Sequence, residues 1–531
     1  MQPPLVDTGS LITIFGLIAA VWALVPGTSR LRLEFSLNRF DRFVLFAAFF
    51  LINYLAFAPI LQNMGLYYSL GPWKWGWNSA SAIYLILLVC GIYFYLKIKF
   101  SRLSSRKIKY FVDLVDGLVL EGRYNQAVEL IEPNLTRLIS LSEDKALGVR
   151  LPSLQQSKVQ QHDSYEDSRG VCILSRVKRF LQGLKKYSLQ KNEPKNILAK
   201  ELLFRLASSL HFVNFLAQSK PYFALELLKS KLALRSGYSS KLLRAFLDNS
   251  GSRLYFELEN NQNLKKGNRL DLAKSNKILH RLLSNSQDAI SLGMDRAVGE
   301  YVLSELRENL ELNSKLNCKL GFYYEVGRFS CPINSSLTIF EIMVHEGIAQ
   351  GIQDHMWLHC FSHFADQILK NMDGMHEDVY SEWPTPYHYL LYRIVSIGAD
   401  WIEQSSFVDE LEVLEENKKK ESYRRYLIAE NSIKMLGNVF KFIVESSVLS
   451  DSFKRYLLEA LLRRYKTIKD DSNLAELNSL YLSHIAEGRG NLPQKTYPLE
   501  LKRIFDGLDH VLRNEVKPFA EALKKAANEV R

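Results

Sequence analysis

The chain has 531 residues, 47% of them hydrophobic, and 68 Lys and Arg against 57 Asp and Glu give a net charge of +11. That length allows several domains, and so mild a basic excess lacks the concentrated positive face of a dedicated nucleic-acid binder. The five cysteines (Cys90, Cys172, Cys318, Cys331, Cys360) are odd in number without CxxC spacing, which excludes a disulfide framework or zinc knuckle and fits reduced thiols.

Three apolar stretches crowd into the first 100 residues: Leu11 to Val25, Phe43 to Leu61 and Ala80 to Leu96. A membrane-spanning helix needs roughly 20 mainly apolar residues. With their flanks these stretches predict spans over 9–27, 43–61 and 80–98, so residues 1–100 read as a transmembrane anchor in contact with a lipid bilayer. A secretory signal peptide would need a basic n-region, and Met1 to Ser10 has no Lys or Arg.

Basic residues set the direction. Arg30, Arg32, Arg39 and Arg42 precede the second stretch, only Lys74 lies between the second and third, and Lys97 to Lys109 adds six more. The positive-inside bias places the N-terminus outside and the body in the cytosol, as in a bacterial inner-membrane protein. The outer loop, Leu66 to Asn78, carries three Trp and two Tyr, as an interfacial aromatic belt does. Asn53, mid-stretch, reads as a helix–helix contact.

From Ser101 on, apolar residues recur at helical spacing and the chain reads as all-α. The expected divisions are a juxtamembrane helical hairpin over 101–140, a flexible linker or insert over 141–170, a second hairpin region over 171–260, a central helical domain over 277–486 and C-terminal helices over 498–531. A break is expected at Asn260 to Asn276 and another at Glu487 to Tyr497. Between Asp409 and Tyr426 the pairs Glu415–Lys419, Glu416–Lys420 and Glu421–Arg425 predict an exposed helix.

Leu118 to Ile131 and Phe215 to Leu228 match in pattern, with Ala127 opposite Ala224. Gly122, Tyr124 and Ala127 resemble the turn of the tetratricopeptide family, where a small residue lets two helices approach closely. The second copy has Ser219 and Pro221 in place of Gly and Tyr. The resemblance implies helical hairpins of solenoid type that bind peptides or partner proteins.

Six of the eleven histidines lie between His345 and His388. His355, His359 and His363 share one helical face with Asp366, and paired His at i,i+4 can reach one metal ion. Eight residues separate His355 from His363, about 12 Å along a helix, so one ion would take an adjacent pair plus His345, Glu346, His376 or Asp366. The alternative is a structural helix whose histidines pack among Trp357, Phe361 and Phe364. Met356 and Cys360 stand where a zincin-type protease needs Glu after its first His.

Arg205 with His211, and Arg503 with His510, resemble the Arg–His motif of HEPN-type ribonucleases, although chance spacing gives about as many pairs in a chain this long. These readings favour a non-enzymatic, membrane-anchored helical scaffold or sensor that binds a protein partner or a second copy, as in a signalling or defence assembly, with no cofactor. The alternatives are a metal-dependent hydrolase using Zn or another divalent ion, a HEPN-like ribonuclease with Arg205 and His211 catalytic, or an oligomeric membrane-permeabilising effector.

Overall fold

The computed structural model describes residues 39–66, 79–99, 107–143, 195–230, 237–262, 265–266, 269–270, 272–352, 356–374, 383–406, 427–469, 474–488 and 496–530, with residues 16, 31 and 103. Among them the chain is helical throughout, apart from a two-stranded antiparallel hairpin, β1 (Lys265–Lys266) and β2 (Arg269–Leu270). The all-α expectation therefore holds. The chain divides into two compact units, residues 1–206 with 230–232, and 207–229 with 233–531. The first expected span, the aromatic loop beyond Leu66, the 144–194 stretch and the charged 407–426 segment lie outside the described residues.

In the first unit, α1 (Arg39–Ala56) packs against α3 (Ser79–Lys99), with α2 (Ala58–Asn63) between them in sequence. The second apolar stretch is not one helix. Pro59 falls in the first turn of α2, and its missing N–H and ring close α1 at Ala56. Eighteen residues extend only about 27 Å, and Asp41 and Arg42 occupy the first turn. No helix among the described residues is long and apolar enough to cross a membrane, so the expected spans do not appear as such. Asn53 donates to Phe49 O on its own helix at 2.7 Å and so does not bridge to a neighbour.

The polar exception inside this hairpin is Asp41, whose side chain is 0% exposed. Lys97 Nζ and the Tyr93 hydroxyl both donate to its Oδ1, at 2.7 and 2.5 Å, so the buried charge is neutralised and hydrogen-bonded. Beyond it, α4 (Ile108–Leu120) and α5 (Tyr124–Ile131) form a hairpin whose turn places Gly122 at φ +73°, a left-handed conformation that glycine adopts without strain. Ala127 is fully buried where α4 and α5 pack. The chain continues through α6 (Leu135–Glu143) to α7 (Lys195–Ser208).

The second unit opens with α8 (Leu210–Ser219), α9 (Pro221–Leu227), α10 (Tyr238–Leu247) and α11 (Arg253–Gln262). After β1 and β2 come α12 (Lys277–Leu283), α13 (Ser286–Ser291), α14 (Met294–Glu308), α15 (Leu310–Asn317) and α16 (Gly327–Ser330). At the centre lies α17 (Pro332–Ala349), buried at every position from Ile333 to Ile348. A helix covered on all sides must satisfy its own polar groups. Ser336 and Thr338 hydroxyls donate back to Pro332 O and Asn334 O, and Arg393 donates to Glu341 Oε2 at 3.0 Å.

Around α17 pack α14 and α19 (Pro386–Ser406). Next to α19 lie α18 (His359–Asn371), α20 (Leu427–Glu445) and α21 (Asp451–Lys469). The chain then runs through α22 (Ala475–Tyr481), a π turn at Leu482–Ala486, α23 (Tyr497–Asp506), α24 (His510–Glu515) and α25 (Lys517–Val530). Two glycines permit close contacts of α19 and α20 with their neighbours. A Cβ on Gly398 would meet Met435 Cε at 2.8 Å, and one on Gly437 would lie 3.0 Å from the His484 carbonyl oxygen.

Candidate functional site

The histidine window does not converge. His345 is buried on α17, whereas His359 and His363 are exposed on α18. The other side of α18 sends Phe361, Phe364, Ala365 and Ile368 into the core, where Phe361 meets Phe340 and Trp401 edge-on at 5.7 and 4.9 Å. The i,i+4 spacing thus does put His359, His363 and Asp366 along one side, but that side faces solvent and Asp366 is held by Lys370 at 2.6 Å. His355 and His376 lie outside the described residues. Among the described residues no group of three or more His, Cys, Asp or Glu could hold a metal ion.

Both Arg–His pairs straddle a helix break. Ser209 is extended, and its hydroxyl accepts from Phe212 N at 3.4 Å, so α7 ends and α8 begins between Arg205 and His211. Arg205 bonds Asp116 at 2.7 Å, linking α7 to α4, while His211 is exposed. The second pair is divided in the same way by Asp509, which caps α24 through Val511 N. Arg503 there is occupied by Asp451 and Glu500, and its hydrogen bonds, then its charge, hold the Asp451 carboxyl below the usual carboxylate range.

Two clefts in the second unit were not legible in the sequence. One, of about 630 Å³, lies along α19 and α21 over a floor of Ser396, Ala399 and Ala460. Tyr392 and Tyr456 wall one end at 5.5 Å from each other, and Trp383 continues the row at 5.2 Å from Tyr392. Arg463 and Arg464 lie in the same groove, paired with Glu459 and with Asp400 and Glu403 respectively. Ser396 and Ala399 on α19 and Ala460 on α21 are small and open the groove, and Tyr, Trp and Arg are the side chains that dominate protein-binding surfaces.

The other cleft, about 710 Å³, sits where α20 turns into α21. Lys454 reaches into the protein beneath it and donates to the carbonyls of Val444 and Ser446 at 2.9 and 2.6 Å. Burial pushes the Lys454 pKa down and the Glu445 pKa up. Because Lys454 satisfies the last carbonyls of α20 and Arg503 bonds Asp451 with two nitrogens, these cations already serve the fold.

The chain matches no protein-family model, no curated protein and no solved structure.

Proposed function

We propose that the protein is a membrane-anchored helical scaffold whose body binds a protein partner from the cytosolic side. The anchor reading rests on one observation. Among the described residues, α1 to α3 and the turns between them leave eighteen large apolar side chains exposed between Phe40 and Leu96, against twelve elsewhere. Phe40 is 69% exposed, Phe46 61% and Phe49 58%. An exposed apolar surface of this extent is not tolerated in water and calls for lipid or protein cover. Lipid is the cover that matches the apolar runs of residues 1–100 and the basic residues that flank them. The three-span topology, with the N-terminus outside, is part of this proposal.

For the body, the Tyr392–Tyr456 groove is the surface best suited to a partner. Rings that are already ordered lose little freedom on binding, and the floor of small residues admits a helix or an extended segment. Arg463 and Arg464 at the same groove would fix the register of such a segment.

A photoreactive phenylalanine analogue in place of Phe46 tests the anchor. In reconstituted protein it should capture lipid acyl chains, while the same analogue at Phe111, in the core of the first unit, should not. Capture of protein alone at position 46 would overturn the lipid reading.

A further inference from the structure

The geometry points to a binding site for anionic lipid headgroups on α11 and α12 and the β1–β2 hairpin that joins them in sequence. Residues 253–281 hold seven Lys and Arg against three carboxylates, a net +4 out of the chain's +11. Glu257, one of the three, is fully buried, and its Oε2 accepts from Ile278 N and Leu279 N at 2.7 and 3.1 Å. That cap places Lys277, the first residue of α12, beside α11. The hairpin adds Lys266 opposite Arg269, with Lys265 next in register.

Two exposed rings accompany Arg253 and Lys277. The Arg253 guanidinium lies 4.5 Å over Phe256, and Lys277 Nζ lies 5.2 Å over Tyr222 on α9, which also packs against α12. Phe256 and Tyr222 are both exposed. Basic groups beside an exposed Phe and Tyr fit an interface where phosphates meet the upper acyl region. A single nucleic-acid strand would instead use open ring faces for stacking, and here a cation already covers one face of each ring. The site is short and would hold a bilayer weakly alone. The inference therefore rests on the anchor reading, since tethering at a bilayer supplies a high effective concentration of headgroups.

The test uses the full chain in two kinds of nanodisc, phosphatidylcholine alone and phosphatidylcholine with about one-third phosphatidylglycerol. Hydrogen exchange over residues 253–281 should be slower in the anionic discs, and high salt should erase the difference. Lys266→Gln, Arg269→Gln and Lys277→Gln should each weaken the protection roughly fivefold, the factor expected per basic residue near such a surface. Phe256→Ser, which keeps the charge, should weaken it as well. Equal exchange of the wild type in both discs overturns the proposal without relying on any variant. Protection by oligouridylate in the zwitterionic discs, with none from phosphatidylglycerol, also overturns it and assigns the site to nucleic acid. Failure of the protein to enter phosphatidylcholine discs at all would instead overturn the anchor reading.

Discussion

Lys97 donates a 2.7 Å hydrogen bond to Asp41 across 56 residues, closing the end of α3 onto the start of α1. The acid is wholly buried and the lysine partly exposed, so the pair, with the Tyr93 hydroxyl, helps fix the register of two largely apolar helices. Replacing Lys97 with Met removes the cation that neutralises a buried carboxylate. It should cost about 3–5 kcal/mol, read from unfolding in detergent, and Asp41→Asn in the same chain should recover most of it. No recovery in the double variant would mean that the pair is not what registers the hairpin.

Close helix contacts give a second prediction. Gly437→Ala would set a methyl group against the fixed carbonyl oxygen of His484, and should cost about 1–3 kcal/mol. Gly398→Ala meets the flexible ends of Met435 and Leu436 and should cost less. Denaturant midpoints rank the two, and the reverse order would contradict this packing.

At Glu257 a carboxylate caps α12 from inside the protein, and burial raises its pKa. Glu257→Ala leaves two N–H groups at the buried start of α12 without their acceptor, and should cost about 2–4 kcal/mol. Equilibrium unfolding measures it. In contrast, His359→Ala removes an exposed ring and should fall within about 0.5 kcal/mol of wild type.

His484, in the π turn, has its pKa lowered first by burial and further by the charge of Lys434. Its proton is therefore bound more readily in the unfolded chain. The stability it contributes is complete above the ordinary histidine value of about 6.5, and is lost as pH falls through the lower folded value. Thermal unfolding from about pH 8 to pH 5 should drop further for the wild type than for His484→Gln. Equal drops would place the acid sensitivity elsewhere.

The helical character of the body was legible because its apolar residues recur at three and four, and Gly122 marked the α4–α5 turn. The break at Ser209 carried a local signal, a capping serine before the apolar run that starts at Leu210, yet helical spacing hides it by continuing through it. A similar cap at Asp509 starts α24, and the non-helical backbone of Val516 separates α24 from α25. The hairpin at β1 and β2 lay within an expected break, where Gly267-Asn268 separates two short basic runs. His359 and His363 lie on one side of α18, but which side of α18 meets the core depends on Phe340 and Trp401, residues far away in sequence. The groove on α19 and α21 has no local signature, since it exists only when the two helices are side by side.

The central claim is that the segment up to about residue 100, α1 to α3 included, is held in lipid while the body that follows is not. Carbonate extraction of native membranes at about pH 11 tests it most directly, because alkali strips proteins held by charge and leaves those held by apolar burial. The full chain should stay in the pellet, and its body, from about residue 101 on, should be digested by protease added to inside-out vesicles. Release of the full chain into the alkaline supernatant would contradict the account.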